Sequence, residues 1–101
     1  MLPTRIHWSP LAQERVVEAA SFSYRDRPGA AEQFVEDIFA SVERLKEFPE
    51  SGRVVPELGR ENTREVFLKR YRIIYRLNHG VVEMLTVRHM RQLLDEEDVG
   101  Q

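Results

Sequence analysis

The stretch REVFLKRYRIIYRL, Arg64 to Leu77, decides how the chain folds. Its apolar residues recur at every second position, which is the period of a strand and not of a helix. In its second half Tyr71, Ile73, Tyr75 and Leu77 share one face, and Arg72, Ile74 and Arg76 share the other. The residue types, β-branched and aromatic, are those that fit a pleated, half-buried surface. Five of the fourteen residues are Arg or Lys, although the whole chain carries a net charge of −2. One face of this hairpin is therefore read as core, and the other as a basic surface.

Working outward, the same period extends through VVEMLTV (residues 81–87), with Asn78-His79-Gly80 between as a turn that tolerates positive φ. RVV (residues 53–55) reads as a short edge strand and PELGRENT as a polar loop. Upstream of Gly52 the period changes to 3.6. Ala31, Phe34, Val35, Ile38, Val42 and Leu45 form one stripe of a helix that ends near Glu47, ahead of Phe48-Pro49. An earlier helix starts at Ser9-Pro10, where Ser9 caps and Pro10 suits the first helical position, and runs to about Asp26. Arg5–Trp8 is an opening strand. The expected fold class is α+β: an N-terminal strand, an αα-hairpin, then a three-stranded antiparallel meander. The helix pair covers one face of the sheet and leaves the other to Arg72, Arg76 and their neighbours. RHMRQLL (residues 88–94) is read as a short helical cap. Residues 1–94 form a single domain, and the acidic residues 95–101 are read as a frayed tail.

Composition narrows the function classes. Charged residues at 32% and hydrophobic ones at 42% fit a globular domain. No cysteine is present, so disulfides and thiolate metal sites are excluded. No apolar run is long enough to span a membrane, and the N-terminus lacks the pattern of a signal peptide. The charge is unevenly laid out. Residues 1–50 hold six cations and nine anions, residues 51–94 nine and four, and the last seven none and four. The middle segment, at +5, is the one that a polyanion or an acidic protein would meet.

Several residue sets carry candidate chemistry. Arg64, Lys69, Arg70, Arg72 and Arg76, with Arg88 and Arg91 further on, read either as a solvated sheet face or as an anion- or target-binding site. Glu57, Arg72 and His89 could supply the base, the cation and the acid needed to cleave RNA through its own 2′-hydroxyl. Trp8, Phe22, Tyr24, Phe48, Tyr71 and Tyr75 are read as core before they are read as base-stacking platforms. No phosphate loop, metal-ligand spacing or nucleophile motif is present, so no cofactor or metal is expected.

In order along the chain, IHWSPLAQERVVEAASFSY, FPESGRVVPEL, REVFLKRYRIIYRL and VEMLTVRHMRQL resemble the successive blocks of the ParE/RelE family of bacterial type II toxin–antitoxin toxins. The resemblance covers about Ile6 to Leu94. It implies a small antiparallel sheet with two N-terminal helices. It also implies a cytoplasmic growth inhibitor neutralised in a hetero-oligomer by a cognate antitoxin, with operator DNA bound only through that antitoxin and no role for a membrane. The family has two branches: ribosome-dependent mRNA endoribonucleases (RelE-like) and inhibitors of DNA gyrase (ParE-like). Glu57, Arg72 and His89 match positions used by one nuclease subgroup. That subgroup carries an aromatic residue after the histidine, where this chain has Met90. Other nucleases of the family use clustered lysines, and only Lys46 and Lys69 occur here. A net charge of −2 also suits a ribosome-bound nuclease poorly. The reading favoured is a ParE-like toxin acting on DNA gyrase. The alternatives are the endoribonuclease, with Glu57, Arg72 and His89 as its metal-independent catalytic set, and an inactive module that only binds its antitoxin.

Overall fold

A computed structural model describes residues 4–99. The elements are β1 (Arg5–Trp8), α1 (Pro10–Tyr24), α2 (Pro28–Glu43) with a 3-10 turn at Arg44–Lys46, β2 (Arg53–Val54), β3 (Thr63–Leu68), β4 (Tyr71–Asn78), β5 (Val81–His89) and α3 (Glu96–Val99). The five strands form one sheet in the order β1-β5-β4-β3-β2. β2 to β5 pair antiparallel, and β1 joins the outer side of β5 in parallel. The meander is as expected, with both short strands at the sheet edges. α1 begins as the sequence predicts: Ser9 Oγ accepts from the Ala12 amide at 3.0 Å, and Pro10 follows it.

The core lies between the helix pair and one sheet face. Ala12, Val16, Ala19, Phe34, Ile38, Val42 and Leu45 from the helical side meet Tyr71, Ile73, Tyr75, Val82, Met84 and Val87 from the sheet. Each fully buried Phe or Ile of this set contributes on the order of 1.5–3 kcal/mol relative to exposure. Two tyrosines bring their polar ends in with them. Tyr75 Oη accepts from the Gly52 amide (3.0 Å) and donates to the Pro49 carbonyl (2.8 Å), which fixes the chain after α2 to β4. The hydroxyls of Tyr71 and Ser23 share a hydrogen bond of 2.6 Å. Of the other aromatics expected in the core, Trp8 and Tyr24 pack on it, whereas Phe22 and Phe48 do not and are exposed.

Two hairpin turns set the register. Asn78 pairs with Val81 across His79 and Gly80, both at positive φ, as in a type I′ turn. Leu68 pairs with Tyr71 across Lys69 and Arg70, and Lys69 is itself left-handed at φ 54°.

Three features differ from the sequence reading. First, β5 contains a bulge. Ile74 pairs with Thr86 and Tyr75 with Met84, which leaves Leu85 as an extra residue. The bulge inverts the phase of β5. Val82 and Met84 face the helices before it, and Val87 faces them after it. The Leu85 carbonyl is met by the Ser9 hydroxyl at 3.4 Å. Second, the far sheet face is not left bare. Val55, Ile74 and Leu85 form a second apolar cluster there, covered by Leu58 and Leu94. Third, residues 88–94 do not form a helical cap. The helical turn comes later, at Glu96–Val99, within the acidic segment expected to fray; Gly100 and Gln101 of that segment lie outside the described residues. Its Asp98 is only 1% exposed, because Arg88 and Thr86 hold its carboxylate.

Candidate functional site

The cross-strand register assigns each basic residue to a face. Arg72 pairs with Phe67 on one side and Arg88 on the other, and all three point away from the helices. Like charges opposite each other on a sheet repel. Here each arginine carries its own pair of carboxylates. Arg72 donates through Nε to Glu65 Oε1 at 2.6 Å, and through both terminal nitrogens to Glu57 at 2.7 and 2.8 Å. Arg88 donates to Asp98 at 2.7 Å and to Asp95 at 2.9 Å.

Glu65 is the pivot of the first group. Its side chain has no exposed surface, and its second oxygen accepts from Arg53 Nε at 2.7 Å. The chain of charges Arg53–Glu65–Arg72–Glu57 thus runs from the β2 edge to the loop after it. The hydrogen bonds from Arg72 hold the Glu57 carboxyl down at about 2, against the opposing effect of desolvation. The same contacts raise the Arg72 guanidinium above its ordinary value, with Glu57 the largest cause and Glu65 next after burial. A shallow cavity of about 520 Å³ adjoins this group, rimmed by Phe67, Met90 and Leu93.

The structure therefore brings Glu57 and Arg72 together. It does not bring His89 to them. His89 pairs with Tyr71, whose ring belongs to the helix-side core, and the two rings meet edge-on at 5.4 Å. His89 thus lies on the opposite sheet face from Arg72, as the phase inversion at Leu85 requires.

The remaining basic residues divide into paired and unpaired. Arg64 pairs with Tyr75, so it faces away from Arg72. Its side chain is 14% exposed and serves the local backbone, donating to the carbonyls of Gly52 at 2.9 Å and Glu61 at 3.0 Å. Arg76 donates to Glu83, its cross-strand neighbour, at 3.2 Å. Lys69, Arg70 and Arg91 have no ion-pair partner among the described residues, and neither do Arg25 and Arg27. The segments that carry these five adjoin one another. The Met90 amide donates to the Arg70 carbonyl at 2.8 Å, the Lys69 ammonium lies 5.7 Å from the Tyr24 ring centre, and the Arg27 amide donates to the Tyr24 carbonyl at 2.9 Å. Of the stripe read from sequence as one basic face, Arg72 and Arg88 are buried in carboxylates, and Lys69, Arg70 and Arg91 remain for a partner.

Sequence reasoning did not single out Glu65 or Asp98. Glu65 had a signal: a carboxylate in the middle of a strand, between Arg64 and Val66. Asp98 had one too, since Asp95-x-x-Asp98 after Leu94 has the spacing of a capping box.

Comparison with known proteins accords with this architecture. The family model of the ParE toxin of type II toxin–antitoxin systems (parDE) matches residues 6–94. The chain is 40% identical to a protein of Sinorhizobium fredii named as toxin Y4kP, over 87% of this chain and 90% of that one. Among solved structures, the chromosomal ParDE system of P. aeruginosa superposes with a TM-score of 0.68 at 16% identity, over 87% of this chain and 97% of that one. The toxin–antitoxin complex RelBE2 of Mycobacterium tuberculosis does so with 0.55 at 22% identity, over 87% and 99%. The sequence match over residues 6–94 and the close relative, on a fold shared with both structures, place this chain in the ParE toxin family, within the ParE/RelE-like superfamily of type II toxin–antitoxin toxins.

Proposed function

We propose that this toxin acts on DNA gyrase and is held inactive by a cognate antitoxin. The observation that carries the gyrase reading is the state of Arg72. A cation that stabilises a pentavalent phosphate must present free donors to it. Here four of its five N–H groups are engaged, by Glu65, by both oxygens of Glu57 and by the Gln92 carbonyl, and freeing them would break an ion pair that is largely buried. His89 lies on the other face from Glu57 and Arg72, which counts against the endoribonuclease reading. The family match points the same way, since the matched model is the ParE one. The unpaired cations Lys69, Arg70 and Arg91, with Arg25 and Arg27, supply positive charge suited to steering the protein onto an acidic surface of its target.

The antitoxin reading rests on the family and on the sheet edges. β1 and β2 are both short edge strands, and Val17 and Phe22 on α1 and Phe39 on α2 are exposed. An antitoxin segment that pairs with one of these edges and crosses the helix pair would cover exposed apolar surface there.

The deciding experiment adds antitoxin-free protein to a gyrase supercoiling reaction, with a translating extract beside it. The expected result is blocked supercoiling and intact mRNA, with the block weakened by the combined Lys69→Glu, Arg70→Glu and Arg91→Glu changes. Normal supercoiling with codon-spaced mRNA cuts would overturn the proposal and return Glu57, Arg72 and His89 to the active site.

A further inference from the structure

Four acidic residues lie near the end of this chain, and the fold draws them onto the protein. Leu94 packs into the far-face cluster and anchors the segment. Asp95 and Asp98 then cap one another: the Asp98 amide donates to Asp95 Oδ1 and the Asp95 amide to Asp98 Oδ2, both at 3.0 Å. The single turn α3 is held so that the Asp98 carboxylate points inward. Arg88 Nε and the Thr86 hydroxyl donate to it at 2.7 and 2.9 Å. Arg15, from α1, donates to Glu97 at 2.8 Å. Its Nε is buried 3.6 Å from Asp98 Oδ1 and has no hydrogen-bond partner among the described residues.

These contacts span an open edge. β1 pairs with β5 only as far as Met84, so Thr86 to His89 have no strand on that side. α1 and α3 meet across the gap, and beside them lies a groove of about 410 Å³ whose apolar lining is Ala19, Phe22, Tyr71 and Val87.

We propose that Asp95–Val99 is a displaceable latch. Asp98 fills a carboxylate seat made by Arg15, Thr86 and Arg88, and the seat's other occupant is an Asp or Glu side chain on an acidic segment of a protein partner. The latch is held by charge more than by apolar burial. One helical turn has no stability of its own, and Glu96 and Glu97 are exposed. The seat is also underfilled, because Asp98 leaves Arg15 Nε unsatisfied. A partner carboxylate placed slightly nearer α1 would engage both guanidiniums and seat its apolar neighbours in the groove. The inference does not depend on whether gyrase is the target.

The test uses the full chain and a fluorescent peptide with the sequence of residues 93–101, LLDEEDVGQ. The latch competes with the peptide at an effective concentration on the order of 1 mM, so a peptide that binds at about 0.1 mM is weakened about tenfold by an intact latch. The peptide is expected to bind the Asp95→Asn/Asp98→Asn variant about tenfold more tightly than wild type. That binding should be lost on adding Arg88→Gln and should weaken as salt rises. Equal affinity for the two proteins, or no binding to the opened one, would overturn the proposal. So would preferential binding of a single-stranded oligonucleotide, which would make the seat one for phosphate. Hydrogen exchange on wild type is independent of any variant. Protection at Asp98 should fall between low salt and about 0.5 M salt while β4 stays protected, and salt-independent protection at Asp98 would refute a charge-held latch.

Discussion

Replacing Arg72 by Met asks whether this guanidinium holds the fold or serves chemistry. The variant keeps an unbranched chain and removes every hydrogen bond to Glu57, Glu65 and Gln92. Glu57 sits on the exposed loop and regains water at little cost. Glu65 cannot, because its side chain has no exposed surface, and it keeps only Arg53, whose own side chain is 58% exposed. Breaking a buried ion pair from one side costs about 3–5 kcal/mol. With Arg53 still in place the lower end applies, about 3 kcal/mol. For a domain of this size each kcal/mol lowers Tm by roughly 4–8 °C, so the loss is about 12–24 °C. Adding Glu65→Gln removes the stranded charge, and the double variant is expected to recover about 1–2 kcal/mol relative to Arg72→Met alone. Urea unfolding followed through the single tryptophan, Trp8, measures both. A change within about 0.5 kcal/mol of wild type, the range of an ordinary surface substitution, would refute the reasoning and show the guanidinium free for an external anion. The point bears on function: loss of toxicity in an Arg72 variant implicates catalysis only if the folded fraction is unchanged.

Three further outcomes are expected. Glu57 titrates near 2 in the folded chain against an ordinary 4.5, so its stabilisation is whole above about pH 4.5 and is lost as pH falls toward 2. The shift alone converts to roughly 3 kcal/mol, and discounting for the exposed loop leaves about 1 kcal/mol, which an acid titration of the urea midpoint should show in wild type and not in Glu57→Gln. Gly52→Ala is expected to destabilise by about 1–3 kcal/mol, because its Cβ would lie 2.6 Å from Tyr75 Oη and 2.7 Å from the Glu65 carbonyl, and the latter cannot swing aside; a thermal melt equal to wild type would count against it. Tyr75→Phe removes the acceptor for the buried Gly52 amide and the donor to the Pro49 carbonyl, for a loss of about 1–3 kcal/mol by the same unfolding assay.

What could be read from the sequence was what depends on neighbours in the chain. The stripe Phe34–Ile38–Val42–Leu45, the Ser9-Pro10 cap and the two faces of Tyr71–Leu77 all stand where periodicity put them, because each is set within a few residues. The ion-pair partners of the basic residues were not legible. Arg72 is neutralised by Glu57 and Glu65, 15 and 7 residues away, and Arg88 by an aspartate 10 residues beyond it. Those encounters follow from cross-strand register and from how a loop folds back, which no local pattern encodes. The bulge at Leu85 is the sharpest case. In VVEMLTVRH the adjacent apolar pair Met84-Leu85 breaks the alternation, but only the pairing with β4 shows that Leu85 is the extra residue, and that residue decides which sheet face receives His89.

The parallel pairing of β1 has a consequence in time. Arg5–Trp8 is synthesised before the other described elements, yet among the described strands it pairs only with β5, and the adjoining Ser9–Leu85 contact spans 76 residues. At roughly 5–20 residues per second, those residues take about 4–15 s to make. For that interval the helices can form and pair, because their contacts are local, while the first strand waits without a partner. β1 thus cannot join the sheet until β5 is made, and a nascent chain interrupted before Val81 would leave β1 without the strand it pairs with.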